Sequence, residues 1–214
     1  TADSAARYMG GKGANIALTD STTMSLAMMF SGLQVGPGDE IVQTVHDHYS
    51  TDMSLAHKAA RSGASIRQVA LYDQPAEVSV EQCCTRLAAA ITPRTRVVAV
   101  TWVQSSTGVK LPVRALAEVV SKANDGRAEQ ERILFCVDGV HGFGIEDQDV
   151  TQLGCDFFAA GTHKWIFGPR GTGVLWGNDA AWSRSEPVIP GFGLSYGAWL
   201  GMLPVDKVPP GRHF

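Results

Sequence analysis

The sequence predicts an α/β fold, a mainly parallel sheet with helices on both faces. Three observations carry that prediction. Short apolar runs rich in β-branched residues alternate with longer amphipathic segments. Gly, Pro and Asp mark the joints between them. Reactive polar residues fall just past the carboxyl ends of the apolar runs, where ligands gather in open parallel sheets.

Taken in order, residues 16–18 (Ile-Ala-Leu) form a short strand. The run Thr19-Asp20-Ser21-Thr22-Thr23 then opens a helix near Met24, with helical patterning over 25–33. The Gly-Pro-Gly-Asp turn at 36–39 introduces a strand over 40–45. A helix over 51–62, a strand over 65–70, a helix over 80–90, a strand over 96–101 and a helix over 112–123 follow. The run 133–137 is strand-like and delivers Asp138; the run 157–160 delivers Thr162, His163 and Lys164. Residues 174–176 suit a further strand. Connections of helical length between strands imply parallel neighbours. Gly10-Gly11-Lys12-Gly13 lacks the Gly-Lys-Ser/Thr ending of a nucleotide loop and reads as a turn. Residues 1–186 read as one domain, and 187–214, rich in Gly, Pro and aromatics without periodicity, as an irregular tail or connection.

Composition narrows the function. A chain of 214 residues is long enough for one sizeable core. Its net charge of −3 offers no basic field for nucleic acid. The four cysteines, Cys83, Cys84, Cys136 and Cys155, show no zinc spacing, and two of them lie in apolar runs as small buried hydrophobes do. A reducing cytoplasm is the expected location, since no apolar run reaches membrane-spanning length and the first residues lack a signal-peptide layout.

Lys164 and Asp138 carry the chemistry. Lysine forms a Schiff base with an aldehyde, and pyridoxal phosphate is an aldehyde cofactor that also needs a carboxylate to keep its ring nitrogen protonated. A capping Asp and a solvated Lys are the ordinary alternatives for these residue types. The neighbouring motifs outweigh them: Asp138-x-x-His141, Thr162-His163-Lys164-Trp165 and the Gly-Pro-Arg-Gly-Thr-Gly run at 168–173. Through these the chain resembles, from about Ala17 to Trp176, the class V aminotransferase group of fold-type I pyridoxal-phosphate enzymes, which includes cysteine desulfurases and isopenicillin N epimerase-like proteins.

The resemblance implies roles for further residues. Ser21, Thr22 and Thr23, at a helix amino terminus suited to a phosphate dianion, stand where the family holds the cofactor phosphate, although a plain Ser/Thr cap is the alternative. His163 matches a phosphate-binding histidine. Gly161 replaces a serine that many members use for the phosphate, which leaves Thr162 or backbone amides to substitute. His48 falls where the family stacks an aromatic or histidine on the pyridine ring, as platform and acid/base helper, with Tyr49 the alternative if the register slips by one. His46, Asp47 and His48 as metal ligands are a less favoured reading, since no further ligand cluster accompanies them; no metal is expected. His141 matches a residue beside the cofactor's phenolic oxygen, and Ser105 one near that oxygen or the substrate. The 168–173 loop resembles a segment passing near a neighbouring subunit's cofactor phosphate, with Thr172 adding a hydroxyl, so a homodimer is implied; a hairpin turn is the alternative.

The resemblance therefore implies catalysis on an amino acid through Lys164, His48 and Asp138, with a ring-stabilised carbanion and an epimerase-, lyase- or aminotransferase-type outcome. Family members are about twice this length, so a partial large domain without its small domain is expected. The alternative from another class is a non-catalytic large-domain remnant that binds a partner.

Overall fold

A computed structural model describes all of residues 1–214. Its centre is a seven-stranded sheet: β1 (Ile16–Thr19), β2 (Glu40–Thr44), β3 (Ser65–Val69), β4 (Thr95–Thr101), β5 (Leu134–Asp138), β6 (Phe157–Gly161) and β7 (Gly173–Gly177). Their spatial order is β1-β7-β6-β5-β4-β2-β3. The β2–β3, β2–β4, β4–β5 and β5–β6 pairs are parallel, while β7 runs antiparallel to both β6 and β1.

Helices α1 (Ala2–Met9), α2 (Thr22–Gly32), α3 (Tyr49–Ser62), α4 (Val80–Ala90), α5 (Val113–Ala123), α6 (Asp179–Ser183) and α7 (Leu194–Trp199) complete the fold. Side-chain alternation along the strands separates two cores. Val98, Val100, Phe135 and Val137 pack on one face with Met9 of α1, Leu87 of α4 and Leu116 of α5. Val97, Ala99, Leu134 and Cys136 pack on the other with Leu26 and Phe30 of α2, Leu55 of α3 and Trp182 of α6. Strands β5 and β6 are covered on both faces, which is why they read as continuous apolar runs rather than alternating ones.

The chain differs from its sequence reading mainly at the ends. Residues 2–9 form α1, whose buried face is only Ala2, Ala6 and Met9, too small a stripe to register as apolar patterning. Within 187–214, α7 interrupts the irregular course, but its six residues are too few for a helical period to show. No helix is long and apolar enough to cross a membrane.

Candidate functional site

The carboxyl ends of β4, β5 and β6 converge on the amino termini of α2 and α3, and a cavity of about 270 Å³ lies between them. Nine side chains expected at the site line it: Ser21, Thr22, Thr23, His48, Ser105, Asp138, His141, His163 and Lys164. Ser50, Thr101, Leu26 and Val140 complete the wall. A larger cavity of about 390 Å³ between α1 and residues 143–150 is lined by Arg7, Trp102, Phe143 and several carboxylates, with no lysine, histidine or cysteine among its residues.

Asp138 is the last residue of β5 and only 2% exposed. Burial drives its carboxyl from 3.8 up to about 6, opposed by the Val140 amide, His48, the Thr51 hydroxyl and Lys164. The Val140 amide donates to Oδ1 at 3.1 Å, and the Thr51 hydroxyl to Oδ2 at 3.5 Å. The carboxylate is thus held by α3 as well as by the turn that follows its own strand.

Ser21 caps α2, its Oγ accepting from the Met24 amide at 3.1 Å while its hydroxyl donates to Asp20 at 2.8 Å. A capped helix start leaves first-turn amides and a partial positive charge facing outward. Thr22, in that turn, has a buried hydroxyl with no hydrogen-bond partner. A Cβ at Gly161 would stand 2.9 Å from Thr22 Oγ1 and 3.1 Å from His163 Nδ1. The missing side chain keeps open a cradle with a donor on each side, which suits a phosphate. Lysine, buried carboxylate and phosphate cradle around one cavity fit pyridoxal phosphate.

Asp47 bends the chain that delivers His48. Its Oδ2 accepts from the Thr44 amide and its Oδ1 from the Thr101 amide, each at 2.8 Å, so one carboxylate clasps the ends of β2 and β4. Burial pushes this carboxyl up to about 7, against the pull of those bonds. His46 stacks on Tyr72, ring centroids 4.4 Å apart, away from the cavity. His48 is the residue of the group that reaches the cavity; it caps α3, and Tyr49, 72% exposed, does not line the wall. No three His, Cys, Asp or Glu side chains are grouped to hold a metal ion.

Thr162 and Thr172 lie outside the cavity wall. They sit just beyond the Gly161–Gly173 pair that ends the antiparallel β6–β7 ladder, and their hydroxyls meet across the hairpin. The Thr172 hydroxyl also donates to the Pro169 carbonyl at 2.6 Å. Between them the chain turns sharply after Lys164, whose carbonyl accepts from the Phe167 amide at 3.3 Å, with Phe167 at a left-handed φ of 56°. Two site residues were not legible in the sequence. Ser50 stands just before the helix expected over 51–62 with no motif around it, and Trp165, whose indole bonds to His141, is marked only as part of a motif.

Comparison with known proteins gives one consistent result. The family model described as aminotransferase class-V matches residues 3–195. Isopenicillin N epimerase of Streptomyces clavuligerus is 30% identical over 173 residues, covering 81% of this chain and 41% of that protein. A probable cysteine desulfurase of Halalkalibacterium halodurans is 31% identical over 176 residues, 81% of this chain and 40% of that one. The chain therefore spans about two fifths of the length of these curated relatives. The structure of the cystine C-S lyase C-DES with its reaction product cysteine persulfide superposes with a TM-score of 0.79 at 25% identity, over 89% of this chain and 48% of that one. Apo cysteine desulfurase from Thermococcus onnurineus NA1 superposes with a TM-score of 0.76 at 24% identity, over 98% of this chain and 49% of that one, a likeness of fold.

Proposed function

The chain belongs to the aminotransferase class-V family, and from that premise we propose that it binds pyridoxal 5′-phosphate in the 270 Å³ cavity and acts there on an amino acid. The observation that carries this reading is the convergence of Lys164, Asp138 and the Thr22–His163 cradle on one cavity. Bound there, the cofactor supplies an electron sink for negative charge developing at the substrate α-carbon.

The residues divide the work. Lys164 is the residue that would hold the cofactor through its Nζ, and its amine is the base placed to move the substrate α-proton. Asp138, ionised at neutral pH with a pKa of about 6, keeps a proton on the ring nitrogen from a buried position where water screens the pair weakly. The α2 amino terminus, Thr22 and His163 bind the phosphate. His48 would cover the cofactor ring and His141 would bond its phenolic oxygen, both from the cavity wall. Ser105, beyond β4, is a substrate-side contact.

The reaction type proposed is an epimerase- or lyase-like one rather than transamination, supported by the relatives at 30–31% identity, an epimerase and a probable cysteine desulfurase. The assembly proposed is a homodimer, with the 168–173 loop beside the partner's phosphate; sedimentation equilibrium of cofactor-loaded protein at micromolar concentration tests it, and a monomer with full cofactor occupancy contradicts it. For the activity, the test is incubation with pyridoxal phosphate and a panel of amino acids including cysteine and cystine in D₂O. Deuterium at the α-carbon, with loss of optical activity or release of a β-substituent, is the expected result. An inert α-proton across the panel in a cofactor-loaded protein overturns it.

A further inference from the structure

Ser50 stands in the first turn of α3 and joins the two halves of the site. Its backbone amide donates to His48 Nδ1 at 3.1 Å, its Oγ lies 3.2 Å from the same nitrogen, and Thr23 Oγ1 lies 3.2 Å from Ser50 Oγ. Two of these contacts are between groups that can each donate or accept. The third is not, and it fixes the direction of the others.

A backbone N–H can only donate, so Nδ1 of the neutral His48 ring carries no proton. The Ser50 hydroxyl must then also donate to Nδ1, sharing its lone pair with the amide. With that proton spent, Ser50 Oγ is an acceptor toward Thr23, and the Thr23 hydroxyl is the donor. All three protons point along the row toward His48, and the ring's own N–H is at Nε2. We propose that Ser50 is the positioning residue of the site: it holds His48 in the Nε2–H tautomer and commits the Thr23 hydroxyl to that task.

Two consequences follow. His48 Nδ1 makes the cap of α3, the helix whose Thr51 bonds Asp138. Ring platform and ring-nitrogen carboxylate therefore share one helical turn. The second concerns the phosphate. Ser21 spends its hydroxyl proton on Asp20 and Thr23 on Ser50, which leaves the unpartnered Thr22 as the hydroxyl donor for an anion. The charged and titratable groups around His48 are Asp52 on α3, Asp138 on β5, and His141 and Lys164 beyond β5 and β6.

The effect on cofactor affinity rests on the proposed pyridoxal-phosphate function, whereas the tautomer does not, and the test separates them. Ring ¹⁵N spectra of the full chain with labelled histidine read the tautomer directly, with and without pyridoxal phosphate. His48 is expected as Nε2–H in the wild type, in Ser50→Thr and in Ser50→Ala, all of which keep the backbone amide, and as a mixture in Ser50→Pro, which removes it from a first-turn position where proline is tolerated. In cofactor titrations Ser50→Ala and Thr23→Val are each expected to weaken binding about three- to tenfold, the scale of one hydrogen bond. The double variant should be no weaker than the worse single one, as expected of residues acting through one chain. Thr22→Val should weaken binding further and multiply with Ser50→Ala. An unchanged His48 spectrum in Ser50→Pro, or effects of Ser50→Ala and Thr23→Val that multiply, overturns the proposal. Failure of every variant and the wild type to take up pyridoxal phosphate contradicts the cofactor reading alone, and the ring spectra still decide the role of Ser50.

Discussion

The Trp165 indole N–H donates to His141 Nδ1 across 3.3 Å, tying the residue after Lys164 to the loop after Asp138. Indole has no acceptor, so the neutral His141 ring carries its proton at Nε2. Burial, with Lys164 and His48 nearby, lowers the pKa of His141 below its ordinary 6.5, so the ring is neutral at physiological pH. His141 thus offers one fixed donor beside the cavity, the form required of a group that bonds a phenolic oxygen.

Trp165→Phe keeps the aromatic edge against His141 and removes the donor. Turnover is expected to fall about tenfold while cofactor affinity changes less than about threefold, because a single hydrogen bond to a site residue is lost and the phosphate contacts stay. Steady-state kinetics beside a cofactor titration check this; equal losses in both would mean that Trp165 supports the fold of the loop rather than the orientation of His141.

Asp138 has a stability signature of its own. Its carboxyl titrates near 6 in the folded chain and near 3.8 when unfolded, so between those values the native state holds a proton that the unfolded state has released. Stability of the cofactor-free chain therefore falls as pH rises from about 4 to about 6, then levels off. Asp138→Asn removes this loss. The variant is expected to be more stable than wild type at pH 8, by up to roughly 3 kcal/mol, and no more stable at pH 4. Urea unfolding at the two pH values measures it, and a difference that does not depend on pH contradicts the buried, proton-binding carboxyl.

Asp47 is expected to matter for stability rather than chemistry. Asp47→Ala leaves the Thr44 and Thr101 amides without their partner at the ends of β2 and β4, a cost of roughly 2–4 kcal/mol from two unmet buried donors. Asp47→Asn should lose about half of that, since an amide oxygen can replace one acceptor only. Chemical denaturation of both variants gives the values; a neutral Asp47→Ala contradicts the clasp.

Gly161→Ala tests the phosphate cradle. The added methyl would press on Thr22 Oγ1 and His163, and crowding of this kind costs about 1–3 kcal/mol, here as cofactor affinity lowered about tenfold or more. Fluorescence titration with pyridoxal phosphate measures the loss. Unchanged affinity would place the phosphate elsewhere.

The strand Leu134–Asp138 was legible in the sequence because it is an apolar run, buried on both faces, that ends in a polar residue. The hydrogen-bonded pairs around the cavity were not. Thr23 meets Ser50 from 27 residues away and Trp165 meets His141 from 24, and no local pattern records such tertiary pairing. The meeting of the Thr162 and Thr172 hydroxyls across the β6–β7 hairpin was likewise invisible in the sequence, since it follows from strand register. Gly161, which the sequence marks only as a lost ligand, turns out to leave the gap between Thr22 and His163.

Lys164 is the amine proposed to hold the cofactor. The direct measurement is borohydride reduction of the protein mixed with pyridoxal phosphate, followed by peptide mass spectrometry, for the wild type and for Lys164→Ala. A visible absorbance band in the wild type that reduction abolishes, with one phosphopyridoxyl group on Lys164 and none on the variant, is the expected result. A stable adduct of equal yield on another lysine, or retained in Lys164→Ala, contradicts the account.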